Sequence, residues 1–550
     1  TGANDERILY LQDKGGDENY HVYGVDINGA NDKELTPFEG VRVNIIESLK
    51  EDKEHIIIQM NKDNPQQEEP YRLNINSGEI TKLYTVKEGE PPVAGYDFDR
   101  EGNLRAISRI VDGVNTELLY KIDGEFKLVK LTEFGDEFGI SSFNPGSANP
   151  DDAYVISNLE GDKIEIQLYD LKKNKKINTV FSNDTYDVSG MALSKKRNYE
   201  IDYFSYTGEK TQIIPVSDTY KKIYNRLKQE FGDKQFFTVG RTDDESKYMV
   251  AVTSDKIVGE YYLYDVEADE ISLLYKLLPH LKEEDMASMK PITFKSRDGL
   301  TLHGYITLPH SYQEGMQVPL VVNPHGGPQG IRDSWGFNPE AQLFASRGYA
   351  TLHVNFRISG GYGKEFLKAG FGEIGRKAMD DVEDGVDYVI EQGWVDKDRI
   401  AIYGGSHGGY AVLRGMTKTP EKYACGVDYV GVSNLNTFME TIPPYWEKYR
   451  ELLYKIWYNP GIPEEKKIMA EISPALHVDE IKNPLFVVQG ANDPRVNINE
   501  ADQIVETLRS KGVEVPYMVK YDEGHGFAKE ENRLDLYKAM MGFFAEHLKN

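Results

Sequence analysis

The sequence predicts two domains, an all-β propeller followed by an α/β domain with a mainly parallel sheet and helices on both faces. Three observations support this prediction. Residues 1–285 contain short β-rich runs separated by turn residues, and one pattern among them recurs about every 50 residues. In residues 286–550, apolar runs alternate with amphipathic helical patterns. The length of 550 residues also exceeds what one hydrophobic core usually supports.

The repeat in the first domain places an aliphatic residue two positions after an aromatic residue or leucine and just before a turn. The aliphatic positions are Val25, Ile75, Ile122, Leu171 and Val266, and a skipped copy falls near residues 214–216. A four-stranded unit repeated every ~40–50 residues is typical of propeller blades, which bury their faces against their neighbours. The count predicts about six blades, the first incomplete, in preference to a pair of β-sandwiches. Residues 220–231 (YKKIYNRLKQEF) interrupt the β pattern and predict a short helix.

The second domain shows the alternation of strands and helices that is typical of βαβ units. Near-continuous apolar runs, which indicate buried parallel strands, lie at residues 320–322, 350–354, 400–403 and 485–488. Helical patterns occupy residues 380–392, 500–509 and 531–548. We therefore expect an open sheet with helices packed on both faces.

Composition and charge exclude several classes of partner. The formal net charge of −26 disfavours binding to nucleic acid or to an anionic membrane. No run approaches the ~18 apolar residues of a membrane span, so a soluble protein is predicted. The single cysteine, Cys425, precludes an intrachain disulfide and lies in an apolar stretch typical of a core. The chain begins Thr1-Gly2, so we expect that an upstream segment was removed, and the compartment stays open between cytoplasmic and periplasmic or secreted.

A glycine-rich segment, AIYGGSHGGY at residues 401–410, follows a predicted strand and precedes a helical pattern. It contains Gly-x-Ser-x-Gly, which in this context is a nucleophile elbow. The serine of an elbow has a strained backbone, and the residues two positions before and after it lack a Cβ so that the chain turns sharply. We predict that Ser406 presents its hydroxyl at the end of the sheet of an α/β hydrolase.

A serine nucleophile needs a base to remove its proton and a carboxylate to orient that base. In this fold the acid and then the histidine follow the serine along the chain. Asp493 lies just past the carboxyl end of the predicted strand at residues 484–490, and His525 lies in a glycine-rich loop between the next strand and the last helix. Because the carboxyl ends of parallel strands share one edge of the sheet, we predict that Asp493 and His525 complete a triad with Ser406.

Two backbone N–H groups are predicted to bind the oxyanion that forms during acyl transfer. One belongs to His407, at the positive end of the helix that follows the elbow. The other belongs to Gly327, with Gly326 as the alternative, in the loop NPHGGP at residues 323–328. The spacing of histidines and cysteines matches no metal site, and neither a metal nor a cofactor is predicted.

Five motifs together resemble the prolyl oligopeptidase family of serine peptidases. They are NPHGGP (323–328), NFRISGGYG (355–363), YGGSHGGY (403–410), QGANDPR (489–495) and EGHG (523–526). The HGGP loop makes the chain most similar to the acylaminoacyl-peptidase and dipeptidyl-aminopeptidase branch. The motifs cover residues 290–550, whereas over the first domain the similarity is architectural.

The resemblance implies hydrolysis of short peptides through an acyl-enzyme, with a propeller that excludes folded proteins. It implies that Arg495 binds a substrate carbonyl, with a loop salt bridge as the alternative. It also implies that Tyr445 and Trp446 line the pocket for the residue before the scissile bond, with core packing as their alternative. His407 stands where the family more often has Tyr or Trp, and residues 358–360 depart from Gly-Ser-Thr, so specificity stays open. Family propellers usually have seven blades, so we expect the missing part at the amino terminus.

The leading functional hypothesis is a serine exopeptidase that releases dipeptides or acylated residues from oligopeptides. A prolyl-type oligoendopeptidase is the nearest alternative. A carboxylesterase shares the triad but needs no peptide-excluding cap, and a propeller scaffold with an inactive hydrolase conflicts with the intact set of catalytic residues. A homo-oligomer is compatible with the sequence.

Overall fold

The computed structural model describes residues 4–49 and 51–549, and its first part is a propeller of six antiparallel sheets, as predicted. In chain order the blades are β1 (Arg7–Gln12), β2 (His21–Asp26) and β3 (Lys33–Glu34); β4 (Val43–Glu47), β5 (His55–Asn64), β6 (Gln67–Asn74) and β7 (Ile80–Lys82); β8 (Val93–Phe98), β9 (Leu104–Val111), β10 (Asn115–Ile122) and β11 (Glu125–Thr132); β12 (Phe138–Phe143), β13 (Asp152–Ser157), β14 (Glu165–Asp170) and β15 (Lys175–Phe181); β16 (Val188–Ser194), β17 (Glu200–Thr207) and β18 (Thr211–Pro215); and β19 (Gln235–Arg241), β20 (Lys247–Thr253), β21 (Glu260–Asp265) and β22 (Glu270–Lys276).

Apolar clusters lie between successive blades, which explains why the repeat is needed for stability. Leu9 and Val22 of the first blade pack with Ile58 and Leu73 of the second. The same arrangement joins the third blade to the fourth and the fourth to the fifth. Each blade therefore buries a face that it could not bury alone.

The predicted helical insertion forms α1 (Asp218–Phe231) between the fifth and sixth blades. The Ser217 hydroxyl caps its first turn by accepting a hydrogen bond from the Tyr220 N–H at 3.0 Å. Tyr220, Ile223 and Leu227 share one face of the helix and pack against the sixth blade. The helix thus covers the side of the three-stranded fifth blade.

The second part contains one eight-stranded sheet with helices on both faces, as predicted. Its strands are β23 (Met289–Lys295), β24 (Thr301–Thr307), β25 (Val318–Val322), β26 (Ala350–Asn355), β27 (Val395–Gly405), β28 (Cys425–Tyr429), β29 (Leu485–Gly490) and β30 (Tyr517–Lys520). Their spatial order is β23-β24-β26-β25-β27-β28-β29-β30. The pairs β23–β24 and β24–β26 are antiparallel, and every pair from β26 to β30 is parallel.

The helices of this part divide between the two faces because alternate strand residues point to opposite sides. They are α2 (Pro339–Ser346), α3 (Lys364–Lys368), α4 (Lys377–Glu391), α5 (His407–Lys418), α6 (Leu435–Glu440), α7 (Arg450–Trp457), α8 (Pro463–Glu471), α9 (Asn499–Ser510) and α10 (Glu530–His547). Leu320 and Val322 of β25 face a core that includes α4, α5 and α9, whereas Val321 faces a second core with α2 and α10. Cys425 is fully buried in the second core, and burial raises the pKa of its thiol to about 12.

The propeller and the α/β part contact each other through the segment that contains the motif SGGYG. The Gly361 carbonyl accepts from the Asp187 N–H at 3.1 Å, and the Asp187 carboxylate accepts from the Gly363 N–H at 3.0 Å. Lys163 also donates to the Tyr362 carbonyl at 2.6 Å.

We propose that the domains divide near residue 285, as the sequence predicts. No helix within residues 4–49 and 51–549 is long and apolar enough to cross a bilayer.

Leu227→Ala is expected to destabilise the propeller by about 2–5 kcal/mol, because it leaves a cavity beneath α1 where Leu227 is fully buried. Thermal and urea unfolding followed by circular dichroism would measure the change. Lys228→Ala, on the solvent side of the same turn, serves as the control and should change stability by less than about 0.5 kcal/mol. Equal effects of the two substitutions would contradict this account of α1.

Candidate active site

A sharp turn places Ser406 between the end of β27 and the start of α5. Ser406 has a φ of +59°, which residues other than glycine rarely adopt. Its N–H donates to the Tyr429 carbonyl at 3.0 Å. A Cβ on Gly404 would lie 2.7 Å from the Gly408 carbonyl carbon, and a Cβ on Gly408 would lie 2.3 Å from the Pro324 oxygen. The glycines on either side of Ser406 therefore permit the turn.

Asp493 and His525 form a hydrogen-bonded pair in the loops that follow β29 and β30. The Asp493 Oδ2 lies 2.7 Å from the His525 Nδ1. Its Oδ1 accepts from the N–H groups of Arg495 and Val496, both at 2.9 Å, which fixes the carboxylate. Because a carboxylate only accepts, the Nδ1 carries the proton and the Nε2 has a free lone pair.

Ser406 follows β27, two strands from β29, so all three side chains lie at one edge of the sheet. Within the described residues, no hydrogen bond joins the Ser406 hydroxyl to the His525 imidazole. Hydrogen bonds between a nucleophile and its base are often long without substrate and shorten in the substrate complex. The arrangement places an oriented imidazole on the same edge of the sheet as the hydroxyl.

Tyr429, at the end of β28, connects the loop of Ser406 to that of His525, and sequence analysis did not identify it. Its carbonyl holds the Ser406 N–H, and its hydroxyl accepts a hydrogen bond from the N–H of Phe527, two residues after His525. Its ring packs edge-on against the Phe527 ring, with centroids 5.2 Å apart. In the sequence, Tyr429 stands in the apolar run YACGVDYVGV and is typical of a core residue.

The loop NPHGGP lies directly against the elbow. Asn323 donates to the Tyr403 carbonyl at 2.8 Å, and a Cβ on Gly326 would lie 3.3 Å from the Gly405 oxygen. The His325 Nε2 contacts the Ser359 hydroxyl at 2.8 Å, and its ring stacks on Phe356. These contacts fix the loop that carries Gly327 beside Ser406.

His407 begins α5, and its backbone N–H has no hydrogen-bond partner among the described residues. Its side chain turns away from the hydroxyl, and its Nδ1 donates to the His325 carbonyl at 3.2 Å. Burial lowers the pKa of His407 to about 3 and that of His325 to about 4. Both rings are therefore neutral at physiological pH and bring no cation to the site.

A cavity of about 460 Å³ opens beside Ser406, with mainly apolar walls. Its lining includes Gly327, His407, Arg495 and Trp446 together with Val432, Phe438, Leu452, Leu453 and Trp457. Tyr445 is not part of this lining. Its hydroxyl donates to the Glu18 carboxylate at 3.2 Å, and the Arg42 guanidinium lies 4.4 Å above its ring.

Glu18, on the propeller loop between β1 and β2, reaches Arg495, and sequence analysis also did not identify it. Its carboxylate lies 2.8 Å from the Arg495 Nε and 3.2 Å from the Arg42 guanidinium, and only 7% of the residue is exposed. Glu18 has a φ of +57°, an uncommon conformation that places its side chain at the cavity rim. No sequence pattern connects positions 18 and 495.

Comparisons with known proteins agree with this architecture. Dipeptidyl aminopeptidase BIII of Pseudoxanthomonas mexicana is 34% identical over 562 residues, which cover 99% of this chain and 79% of that protein. A profile described as Prolyl oligopeptidase family matches residues 335–550. The chain belongs to the prolyl oligopeptidase family. The resemblance inferred from the motifs is confirmed, and the chain is a serine peptidase.

Other proteins are similar to this chain over a smaller share of its length or in fold alone. The acylamino-acid-releasing enzyme of Arabidopsis thaliana is 28% identical over 249 residues, 44% of this chain and 32% of that protein. A puromycin-hydrolyzing peptidase of Mycobacterium tuberculosis has a TM-score of 0.73 at 18% identity, over 99% of this chain and 93% of that one. The acylaminoacyl peptidase of Pyrococcus horikoshii has a TM-score of 0.68 at 18% identity, over 99% and 87%. These structures share the fold of a propeller joined to an α/β hydrolase.

Groups of side chains that could bind a metal ion are also absent from the described part of the chain. No group of three or more His, Cys, Asp or Glu side chains within residues 4–49 and 51–549 is arranged to hold an ion.

Tyr429→Phe is expected to lower kcat about tenfold with little change in KM, because it removes the acceptor for the Phe527 N–H and loosens the His525 loop. Steady-state kinetics with a chromogenic dipeptide substrate would measure the split. Tyr517→Phe is the control, since the Tyr517 hydroxyl contacts Asp502 at 2.8 Å and not the loops of the triad. If the two variants have equal kcat values, Tyr429 does not position the loop.

Proposed function

We propose that this peptidase cleaves short peptides near their amino terminus and releases dipeptides or N-acylated residues. Ser406 is the nucleophile, His525 the general base and Asp493 the orienting acid. One observation carries the proposal. The hydrogen-bonded Asp493–His525 pair stands at the same sheet edge as the Ser406 elbow, and that elbow opens into an apolar cavity.

The first half of the reaction forms an acyl-enzyme. The His525 Nε2 takes the Ser406 proton while the Oγ attacks the substrate carbonyl carbon. The negative charge then moves to the carbonyl oxygen, where the N–H groups of His407 and Gly327 stabilise it. As the tetrahedral intermediate collapses, the imidazolium gives its proton to the leaving amine, and the peptide bond breaks.

The second half returns the enzyme to its starting state. A water molecule loses its proton to the His525 Nε2 and attacks the acyl carbon, and the ester bond to Ser406 breaks as the serine regains its proton. Asp493 keeps the imidazole in one tautomer and stabilises its positive charge in both halves. The cavity lined by Trp446 and Trp457 receives the side chain that precedes the scissile bond.

Glu18 supports recognition of a free amino terminus. The Glu18 Oε2 is contacted by Arg42, Tyr445 and the Arg495 Nε, whereas, among the described residues, its Oε1 is contacted only by the Arg495 Nε at 2.8 Å, so Oε1 has a lone pair for an ammonium group. Arg495 lines the cavity beside Ser406, so its guanidinium can hold the carbonyl of the substrate's first residue. Together the two side chains select the amine and the first carbonyl of a dipeptide unit.

Ser406→Ala is expected to lower kcat about 10⁴-fold or more and to abolish labelling by a fluorophosphonate probe, because no other group supplies the nucleophile. Hydrolysis of a free-amine dipeptide chromogenic substrate and gel-based labelling would measure both effects. Ser189→Ala, which removes an exposed serine of β16, is the control and should behave like wild type. Retention of wild-type turnover by Ser406→Ala would show that Ser406 is not the nucleophile.

Glu18→Gln is expected to lower kcat/KM for free-amine substrates by about 10- to 100-fold, since it removes the charge that pairs with the ammonium. The same dipeptide with an acetylated amine should lose far less, because it presents no cation. Asp136→Asn is the matched control, as Asp136 is another propeller carboxylate that pairs with a cation of the α/β part, Lys368 at 3.0 Å.

Two outcomes of this comparison would contradict the amine-binding role of Glu18. One is an equal loss on free and acetylated substrates. The other is rapid wild-type cleavage of long amino-blocked peptides, which would indicate an oligoendopeptidase instead.

A further inference from the structure

One propeller loop, residues 13–20 between β1 and β2, contacts both loops that carry the proposed acid and base. The Gly15 carbonyl accepts a hydrogen bond from the side chain of Asn492 at 2.8 Å, directly before Asp493. Gly16 lies against Gly524, directly before His525. The propeller therefore touches the immediate neighbours of two triad members.

Three glycines stack backbone on backbone at this contact, and we call Gly16, Gly490 and Gly524 the glycine stack. A Cβ on Gly16 would lie 2.2 Å from the Gly524 nitrogen, and a Cβ on Gly524 would lie 1.9 Å from the Gly16 oxygen. A Cβ on Gly490, at the end of β29, would lie 2.1 Å from the Gly524 oxygen. All three distances are below the 3.0 Å that real Cβ atoms keep, so none of the three positions has room for a side chain.

The two sides of the His525 loop are held in different ways. After His525, the Tyr429 hydroxyl holds the Phe527 N–H, and the buried Glu523 carboxylate accepts from the N–H groups of Ala528 and Lys529, both at 2.9 Å. These contacts lie within the α/β part. Before His525, the Glu523 carbonyl accepts from the Asn492 N–H at 2.9 Å, and the Gly524 backbone is packed between Gly490 of the α/β part and Gly16 of the propeller. The position of the imidazole thus depends on a surface that the propeller provides.

We propose that the loop of residues 13–20 braces the His525 loop, with Gly16 as the positioning residue that fixes the backbone of Gly524. This inference rests on the proposed function, which assigns His525 as the base. A displacement of about 1 Å at a catalytic group can cost on the order of 100-fold in rate. A side chain at position 16 would displace Gly524 by such an amount.

The test introduces one methyl group at the contact in the full chain. Gly16→Ala is expected to lower kcat at least about tenfold with a smaller change in KM, and to slow fluorophosphonate labelling of Ser406 by a similar factor. The probe carries no amine, so its labelling rate reports activation of the serine and not binding at Glu18.

Gly29→Ala is the matched control. Gly29 and Gly16 both have a φ of +83° and both lie in the first blade, but a Cβ on Gly29 would meet nothing within 4 Å. The two alanines therefore carry similar backbone strain, and the difference between them isolates the contact with Gly524. Asn492→Ala provides a second variant, which adds no atom, removes the Gly15 contact together with a hydrogen bond to the Tyr521 carbonyl, and should slow labelling several-fold.

The outcomes separate this inference from the proposed function. If Gly16→Ala and Asn492→Ala fold, as judged by thermal unfolding, and label as fast as Gly29→Ala, the brace is refuted. If Gly16→Ala does not fold, Asn492→Ala alone decides, and labelling at the Gly29→Ala rate refutes the brace. If the Ser406→Ala variant is still labelled, the proposed function itself fails.

Discussion

The backbone bend at Ser406 is the constraint on which the rest of the site depends. A positive φ at a residue with a side chain costs about 1–3 kcal/mol and persists only where the surroundings impose it. Here the hydrogen bond to the Tyr429 carbonyl and the close approach of Gly404 to Gly408 impose it. The same bend brings the Gly408 backbone against the Pro324 carbonyl, so Ser406, the proposed nucleophile, and the loop that carries Gly327 take their positions together.

Much of this arrangement could be predicted from the sequence because its signals are local. The blade repeat, the apolar runs of the parallel strands and the glycines around Ser406 each lie within a short window. Asp493 and His525 could be placed because each lies in the loop that follows a strand of the same sheet. The fold follows from these patterns, and so does the common edge where the three side chains lie.

The residues that escaped prediction act through contacts between distant parts of the chain. Glu18 and Arg495 are 477 positions apart, and no pattern in either segment predicts that the two side chains are in contact. In the sequence, Gly15-Gly16 resembles an ordinary turn. Only the structure shows that position 16 requires glycine, because the Gly524 backbone leaves no room for a Cβ there. Tyr429 is hidden for the opposite reason, because a tyrosine in an apolar strand is ordinary and only its hydroxyl contact is informative.

The loop of residues 13–20 combines two roles on neighbouring residues, the proposed amine contact of Glu18 and the proposed brace at Gly16. Only Asp17 separates these positions, so the loop cannot withdraw from Gly524 without also moving the Glu18 carboxylate away from Arg495. By linkage, a substrate whose amine binds Glu18 favours the docked loop, and the docked loop favours the imidazole position that activates Ser406. In this proposal, binding of the amino terminus and activation of the serine both depend on the same equilibrium, the docking of the loop of residues 13–20. This coupling gives a physical reason for the proposed amine-binding acid to lie on the propeller. An acid on the α/β part would bind the amine equally well whether or not the propeller loop contacts Gly524.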